Sequence, residues 1–417
     1  MKVLILGSGV IGVTTAYFLQ KAGCEVTVLE RHDRCALEAS HENGSQLSYS
    51  NCLPLASKSN LKKAIMWIGK SDAPLLIRPR IDWDMFKWLM KFLFEIRDSK
   101  YFYNSEHVAK LTFYSKAVLH EIMSENKLNF DWNNKGLLHI FKTQEDMNST
   151  KRQFDFVAKH TDAKYIELTN QQCIDLEPCT ENIMQDRYAG IHATEDETGD
   201  VYQFTVQLEE ICKKIGVKFL YHQDIETLDM KNGKIVGVKT NRDYFTADKY
   251  IVAMGAYSKQ LLEQVGIHVS IYPVKGYSLS IESDENHLGP RSTITDHDKK
   301  TVYTKMNNIL RVSGTAEFNG YNHTLSQDRL QPMLATTQAN FPTAGDFSKV
   351  KEWSCLRPLT PSTRPIICST KYSELYINSG HGFLGWTEAF GSAKLMMQIV
   401  LNEKTEIDQS SFSLLNN

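Results

Sequence analysis

The sequence predicts an α/β fold in which a parallel-sheet domain, discontinuous along the chain, carries an inserted α+β domain built on an antiparallel sheet. Three observations predict it. The first thirty residues read as strand, glycine turn, helix and strand. A second strand–glycine–helix run stands near the C-terminus. Residues from about 270 to 355 alternate as antiparallel strands do, as in Tyr272 to Ile281 and Asn308 to Gly314. With 417 residues, 42% of them apolar and 23% charged, the chain is too apolar for disorder and long enough to enclose a large ligand.

Lys2 to Leu6 is apolar after its lysine and reads as a short buried strand. It runs into Gly7-Ser8-Gly9-Val10-Ile11-Gly12, then a helix from about Val10 to Lys21 that Gly23 stops. Glu25 to Leu29 is the next strand, and Glu30 ends it. Gly7 permits the tight turn, Gly9 lets a pyrophosphate approach the backbone, and Gly12 lets helix and strand pack closely. The helix N-terminus, at Val10 and Ile11, offers free N–H groups and a positive dipole end to phosphates. Glu30 is placed to accept hydrogen bonds from an adenosine ribose. All the parts stand in register, which marks a Rossmann-type dinucleotide site. Arg31 is a candidate partner for a 2′-phosphate, but Glu30 would repel one, so NADP is disfavoured. FAD and NAD stay open at this point.

Near the other end, Leu375 to Asn378 reads as a strand. It leads into Gly380-His381-Gly382-Phe383-Leu384-Gly385 and a helix from about Trp386 to Asn402. No second strand or acidic residue follows, so a separate NAD site is disfavoured. The better reading is a helix N-terminus aimed at the same cofactor. A reduced flavin carries negative charge near N1, where a helix dipole is stabilising. One complete unit plus a second helix terminus favours FAD.

In the middle, Asp200 can cap a helix running to about Ile215. Strands follow at Val217 to Tyr221, Ile225 to Asp229 and Lys234 to Lys239, with Asn232-Gly233 turning the last pair. Tyr250 to Gly255 is a buried strand closing in glycine, and Ser258 opens another helix. The expected division is 1–60, 200–268 and 356–417 for the FAD-binding domain, and 61–199 with 269–355 for the substrate-binding domain. Asp84 to Arg97, rich in Trp, Phe and Leu, has apolar residues around too much of its circumference for a clean interfacial helix. Packing within the substrate domain is expected for it.

The formal charge of −2 supplies no net field for nucleic acid. The eight cysteines show no C-x-x-C spacing and read as scattered small hydrophobes. No metal-ligand cluster or Ser-His-Asp arrangement stands out, and no metal is expected. No membrane span and no export signal are expected, although Met1 to Gly12 superficially resembles a signal peptide.

With these pieces in place, the chain resembles the small subunits of bacterial D-amino acid dehydrogenases, within the wider D-amino acid oxidase and glycine oxidase superfamily. The resemblance covers nearly the whole length. It rests on GSGVIGVTTAYFLQKAGCEVTVLER (7–31), APLLIRP (73–79), DETGDVYQFT (196–205), GAYSKQLL (255–262), YPVKGYSLSI (272–281), RVSGTAEFNGYN (311–322), LRPLTP (356–361) and INSGHGFLGWT (377–387). It implies FAD and oxidation of D-alanine-like amino acids to 2-oxo acids and ammonia. It also implies hydride transfer from the α-carbon to flavin N5, with electrons passed to a quinone. Members are associated peripherally with the bacterial inner membrane, which suggests a bacterial cytoplasmic protein and leaves contact with that membrane's inner face open. The sequence departs from the family pattern at Ser362-Thr363, at Phe383, and in the loop Ser40-His41-Glu42-Asn43-Gly44-Ser45-Gln46. Two other readings remain: a glycine or sarcosine-type amine oxidase using oxygen, and a catalytically silent flavoprotein sensor.

The substrate carboxylate needs an anchor, and arginine's paired donors suit it. Arg357 is the first candidate, because related amino-acid oxidases carry their anchor in a similar segment; Arg311 is the second. Tyr277 is a candidate donor to the same carboxylate, His381 a candidate contact for the flavin edge or the amine, and Tyr49 a candidate pocket wall. For the cofactor the candidates are Gly7, Ser8, Gly9, Val10, Ile11, Gly12, Glu30, Arg31, Ser40, Asn43, Gly44, Gln46 and Gly255. Gly380, Gly382, Phe383, Leu384, Gly385 and Trp386 complete that set.

Overall fold

The computed structural model describes residues 1–67 and 73–414. Strand Lys2–Leu6 lies inside a six-stranded sheet, between Lys249–Val252 and Glu25–Leu29, both parallel to it. Leu375–Ser379 and Lys218–Leu220 extend the parallel set on either side, and Ile366–Ser369 closes one edge antiparallel. Val3, Leu4, Ile5 and Leu6 are all buried because the sheet is covered on both faces. On one face, helices Val10–Lys21, Val201–Lys214 and Gly385–Val400 share a core with Val3, Ile5, Val26 and Val28. On the other, Leu228, Ile235 and Val238 of a three-stranded meander cover Leu4, Leu6 and Val252.

The first unit has the expected bounds, and Gly23 ends its helix in the left-handed region at φ 85°. Asp200 caps its helix by accepting from the amides of Tyr202 and Gln203. Asn232 and Gly233 take φ of 51° and 74°, the paired positive values of a tight hairpin turn. The eight cysteines are buried and unbridged.

A second sheet of nine strands holds Tyr272–Glu282 between Ile309–Phe318 and Asp346–Leu359. It is antiparallel apart from two pairings, Leu75–Ile77 with Ile309–Phe318 and Leu137–Phe141 with Thr293–Asp296. The long strand Asp346–Leu359 carries Arg357, opposite Val274, to the boundary with the first sheet.

One helix departs from the expected domain, and a second packs on the inserted domain's sheet as expected but through one side only. Asp98–Glu125, expected from the sequence in the inserted domain, packs Leu111, Val118, Leu119 and Ile122 into the core of the first sheet's helices. Trp83–Glu95 packs through a narrow stripe only. Trp88 is buried, donating from its indole to the Leu359 carbonyl at 2.8 Å, while Trp83, Phe86, Leu93 and Phe94 stay exposed. Its apolar residues encircle the helix and a single sheet edge covers one side, so the remainder faces outward. Among the described residues no helix is long and apolar enough to cross a membrane.

Candidate active site

A cavity of about 1120 Å³ runs between the two sheets, and segments from both ends of the chain contribute to its wall. One end is set by the first turn. Gly7 donates its N–H to Leu29 O across adjacent strands, at φ 104°, where an added Cβ would lie 2.8 Å from Ala253 O. A Cβ on Gly12 would lie 2.0 Å from Gly7 O, so Gly12 sets how closely helix and strand approach. Gly9, Val10 and Ile11 face the cavity, and Gly9, at the N-cap, has no side chain to cap the helix. Val10 N donates instead to Ser40 Oγ at 3.0 Å.

Glu30 stands across this turn. One carboxylate oxygen accepts from Ser8 N at 3.0 Å and Ser8 Oγ at 2.7 Å, the other from His32 N at 3.0 Å. These bonds fix its orientation at the cavity wall, while its remaining lone pairs suit ribose hydroxyls. Arg31 also lines the cavity, but its guanidinium is ion-paired to Glu38 and lies 4.1 Å from the centre of the Tyr257 ring.

The loop after Ser40 forms a second wall. Asn43, Gly44 and Gln46 line the cavity, and Gln46 Nε2 donates to Thr295 Oγ1 at 2.6 Å. Gly255, at φ 53°, and Ser379 line a third. Of the C-terminal cluster, Gly382, Phe383, Gly385 and Trp386 reach the cavity at the N-terminus of helix Gly385–Val400. Gly380 and Leu384 do not. Gly380 serves the turn, at φ 85° with Thr360 Cγ2 2.8 Å from its Cβ position, and Leu384 packs with Cys52 and Leu53. Trp386 is anchored by its indole N–H on Gly199 O at 3.0 Å.

The candidate substrate groups fall into different environments. Arg357 lines the cavity, donates to Thr315 O at 3.2 Å, and has no ion pair with any described residue. Burial lowers its pKa from the ordinary arginine value. A Cβ on Gly276 would fall 2.5 Å from its Nη2, so the glycine makes room for the guanidinium. The other candidates are committed elsewhere. Arg311 is buried outside the cavity wall, with Nη1 on Asn43 O at 3.3 Å, where it supports the Ser40–Gln46 loop. Tyr277 reaches the cavity wall, yet its hydroxyl donates to Glu317 at 2.8 Å inside a cluster with Lys275 and Arg78. Tyr49 is fully buried away from the cavity, donating to Glu197 at 3.1 Å.

His381 lies at the wall, but its Nε2 meets Ser392 Oγ at 3.0 Å, turned into the helix. Burial lowers its pKa to about 3, so the ring is uncharged at neutral pH. Residues outside the sequence motifs also shape the site. Gly276 admits Arg357, Thr315 at φ 58° presents the carbonyl that holds it, and Lys300 reaches the same cavity.

Known proteins are similar to this chain over nearly its full length. The family model described as "FAD dependent oxidoreductase" (DAO) matches residues 2–399. A protein named D-amino acid dehydrogenase from Allorhizobium ampelinum is 39% identical over 99% of this chain and 98% of its own length. One of the same name from Neisseria meningitidis is 36% identical over 99% of both. Among solved structures, glycine oxidase from Geobacillus kaustophilus superposes with a TM-score of 0.74 at 19% identity, covering 99% of this chain and 97% of its own. Iminodiacetate oxidase from Chelativorans sp. BNC1 gives 0.75 at 16% identity, covering 99% and 98%. The match spans both the glycine turn with its pinned acid and the second helix terminus that converges on it, and the chain belongs to the DAO family of FAD-dependent oxidoreductases.

Proposed function

We propose that the chain oxidises D-amino acids to 2-oxo acids and ammonia and passes the electrons to a quinone. The residues present fit FAD: Gly12 holds the first helix close, the Gly9 side of its N-terminus is open to the cavity, and Glu30 faces a ribose position. Bound FAD supplies the two-electron acceptor for the substrate's α-hydrogen. The chain's own residues do the positioning. Arg357 takes the α-carboxylate through paired donors, which fixes the α-carbon relative to the cavity floor. The surrounding buried strands limit water around the amine. Water then hydrolyses the released imino acid to the 2-oxo acid and ammonia.

The observation that carries this reading is Arg357, a cavity-lining cation whose guanidinium is held by the Thr315 carbonyl and by no described carboxylate. Relatives named D-amino acid dehydrogenase over nearly the full length support the handedness. A lipid-soluble acceptor is supported by the exposed apolar face of helices Lys58–Trp67 and Trp83–Glu95. That face continues inward through Leu61, Ala64, Leu89 and Phe92, which line the cavity. Between residues 58 and 100 stand ten Lys or Arg and five Asp or Glu, a local excess suited to an anionic bilayer surface.

Anaerobic addition of D-alanine to the yellow holoenzyme is expected to bleach it, while L-alanine leaves it unchanged, and a quinone analogue should restore the colour. Bleaching by neither enantiomer would remove the activity. Rapid peroxide formation in air without need of a quinone would replace the dehydrogenase reading by an oxidase. Sedimentation with anionic vesicles is expected for the wild type and weakened in Trp83→Asp/Phe86→Asp; equal sedimentation would remove this face from membrane contact.

A further inference from the structure

The cavity has a second cationic corner, apart from the Arg357 position. Lys63, Lys300 and His297 line it, together with Asp146, Ser149 and Gln153 from the first ten residues of helix Gln144–His160. Lys63 is paired with Asp146 at 2.8 Å. The neighbouring acids Asp296 and Asp298 face Arg187, at 2.7 and 3.9 Å. Lys300 makes no hydrogen bond or ion pair through its ammonium with any described residue. Burial and the nearby Lys63 lower its pKa to about 8, so it is largely a cation at pH 7. His297 adds no charge, since it shares a 3.0 Å contact with His139 and burial depresses its pKa.

The position of Lys300 relative to Arg357 gives this corner a meaning. Lys300 sits in the turn between Thr293–Asp296 and Thr301–Met306 at φ 54°, and its carbonyl lies 2.9 Å from the Cβ position of Gly314. The next residue, Thr315, holds Arg357. Lys300 and Arg357 are thus joined through one stretch of cavity wall, Ser313 to Ala316, the lysine by its backbone and the arginine by its guanidinium. With Asp146 paired to Lys63 and Asp296 to Arg187, these acids and Asp298 reach the Lys300 ammonium only through space, and a buried ammonium without a hydrogen-bonded acceptor is stabilised when an anion joins it.

We propose that Lys300 is a specificity-determining anchor for a second carboxylate, so that the preferred substrates are D-amino acids with an acidic side chain. The α-carboxylate binds Arg357, and the side-chain carboxylate reaches Lys300, with Lys63 and the donors of Ser149 and Gln153 nearby. This rests on the D-amino acid reading, and two measurements separate the two.

In the first, D-glutamate and D-aspartate are compared with D-alanine as reductants of the anaerobic holoenzyme. At least one acidic substrate is expected to show the higher kcat/KM. Lys300→Met should lower that value by about 10- to 100-fold, leave D-alanine within about twofold, and be largely rescued by Lys300→Arg. In the second, binding is followed by perturbation of the bound flavin's absorbance, with no turnover. Glutarate should bind at least about tenfold more tightly than butyrate to the wild type, and Lys300→Met should erase the difference. Equal binding of the two acids by the wild type, or equal losses for D-glutamate and D-alanine in the variant, would overturn the proposal. A holoenzyme that no D-amino acid reduces, but that still prefers glutarate through Lys300, would refute the reaction and retain the dicarboxylate site.

Discussion

Arg357→Ala is expected to raise the KM for a D-amino acid strongly while FAD stays bound. The guanidinium contacts Thr315 O and faces the cavity, so its removal leaves the fold's hydrogen bonds nearly intact. It does leave the incoming carboxylate without a counter-charge in a buried site. Losing one partner of such a pair costs about 2–5 kcal/mol, which is roughly 30- to several thousand-fold in kcat/KM. Arg357→Lys restores the charge without the planar fork and should recover only part of the loss. An unchanged KM in the alanine variant would remove Arg357 from substrate binding, because a carboxylate stripped of its partner must bind more weakly.

Gly12→Ala is expected to abolish FAD binding. Its added methyl would stand 2.0 Å from Gly7 O, a backbone atom held by the strand register and by the bond from Gly7 N to Leu29 O. The helix must lift off the strand, which costs about 1–3 kcal/mol or more and displaces the amides meant for the pyrophosphate. Gly23→Ala is the comparison. Its φ of 85° is strained for alanine, but among the described residues nothing lies within 4 Å of the new methyl, and it sits at the far end of the same helix. It should cost about 1 kcal/mol and retain the cofactor. Equal flavin content in both variants, measured by absorbance after purification, would contradict the role given to Gly12.

Much of the cofactor end is legible in the sequence because it is set by local spacing. Strand, glycines, helix and acid are neighbours along the chain, and the turn that joins them brings Glu30 onto Ser8. The substrate end is less so. Tyr277 and Arg357 occupy strands whose facing depends on long-range pairing, and the register slips between Lys275 and Tyr277. That slip is invisible in the alternation of the sequence, and it leaves the Tyr277 hydroxyl on Glu317. Arg357 stands out in the sequence only through family resemblance, since what makes it available, Gly276 and Thr315, lies tens of residues away. His381 stands between glycines like an exposed turn residue, but Ser392 on the following helix claims its ring. Lys300 is hidden because Asp296-His297-Asp298-Lys299-Lys300 reads as a solvated hairpin turn, whereas residues of two distant helices, Lys58–Trp67 and Gln144–His160, line the same cavity.

The exposed face of Trp83–Glu95 has the same origin. Spacing along the chain shows apolar residues all around the helix, but whether a second surface covers them depends on the tertiary arrangement. Only a narrow stripe around Trp88 is covered, by Tyr272, Phe318 and Leu359.

The convergence of both ends of the chain on a single cofactor is tested most directly by titrating the apoprotein with FAD and determining the stoichiometry. One FAD per chain is expected, with uptake lost in Gly12→Ala and the absorbance of the bound flavin altered by substitution at Phe383, which lines the same cavity from the C-terminal side. A protein that takes up no FAD, or one that takes up a second dinucleotide at the C-terminal glycines, would contradict it.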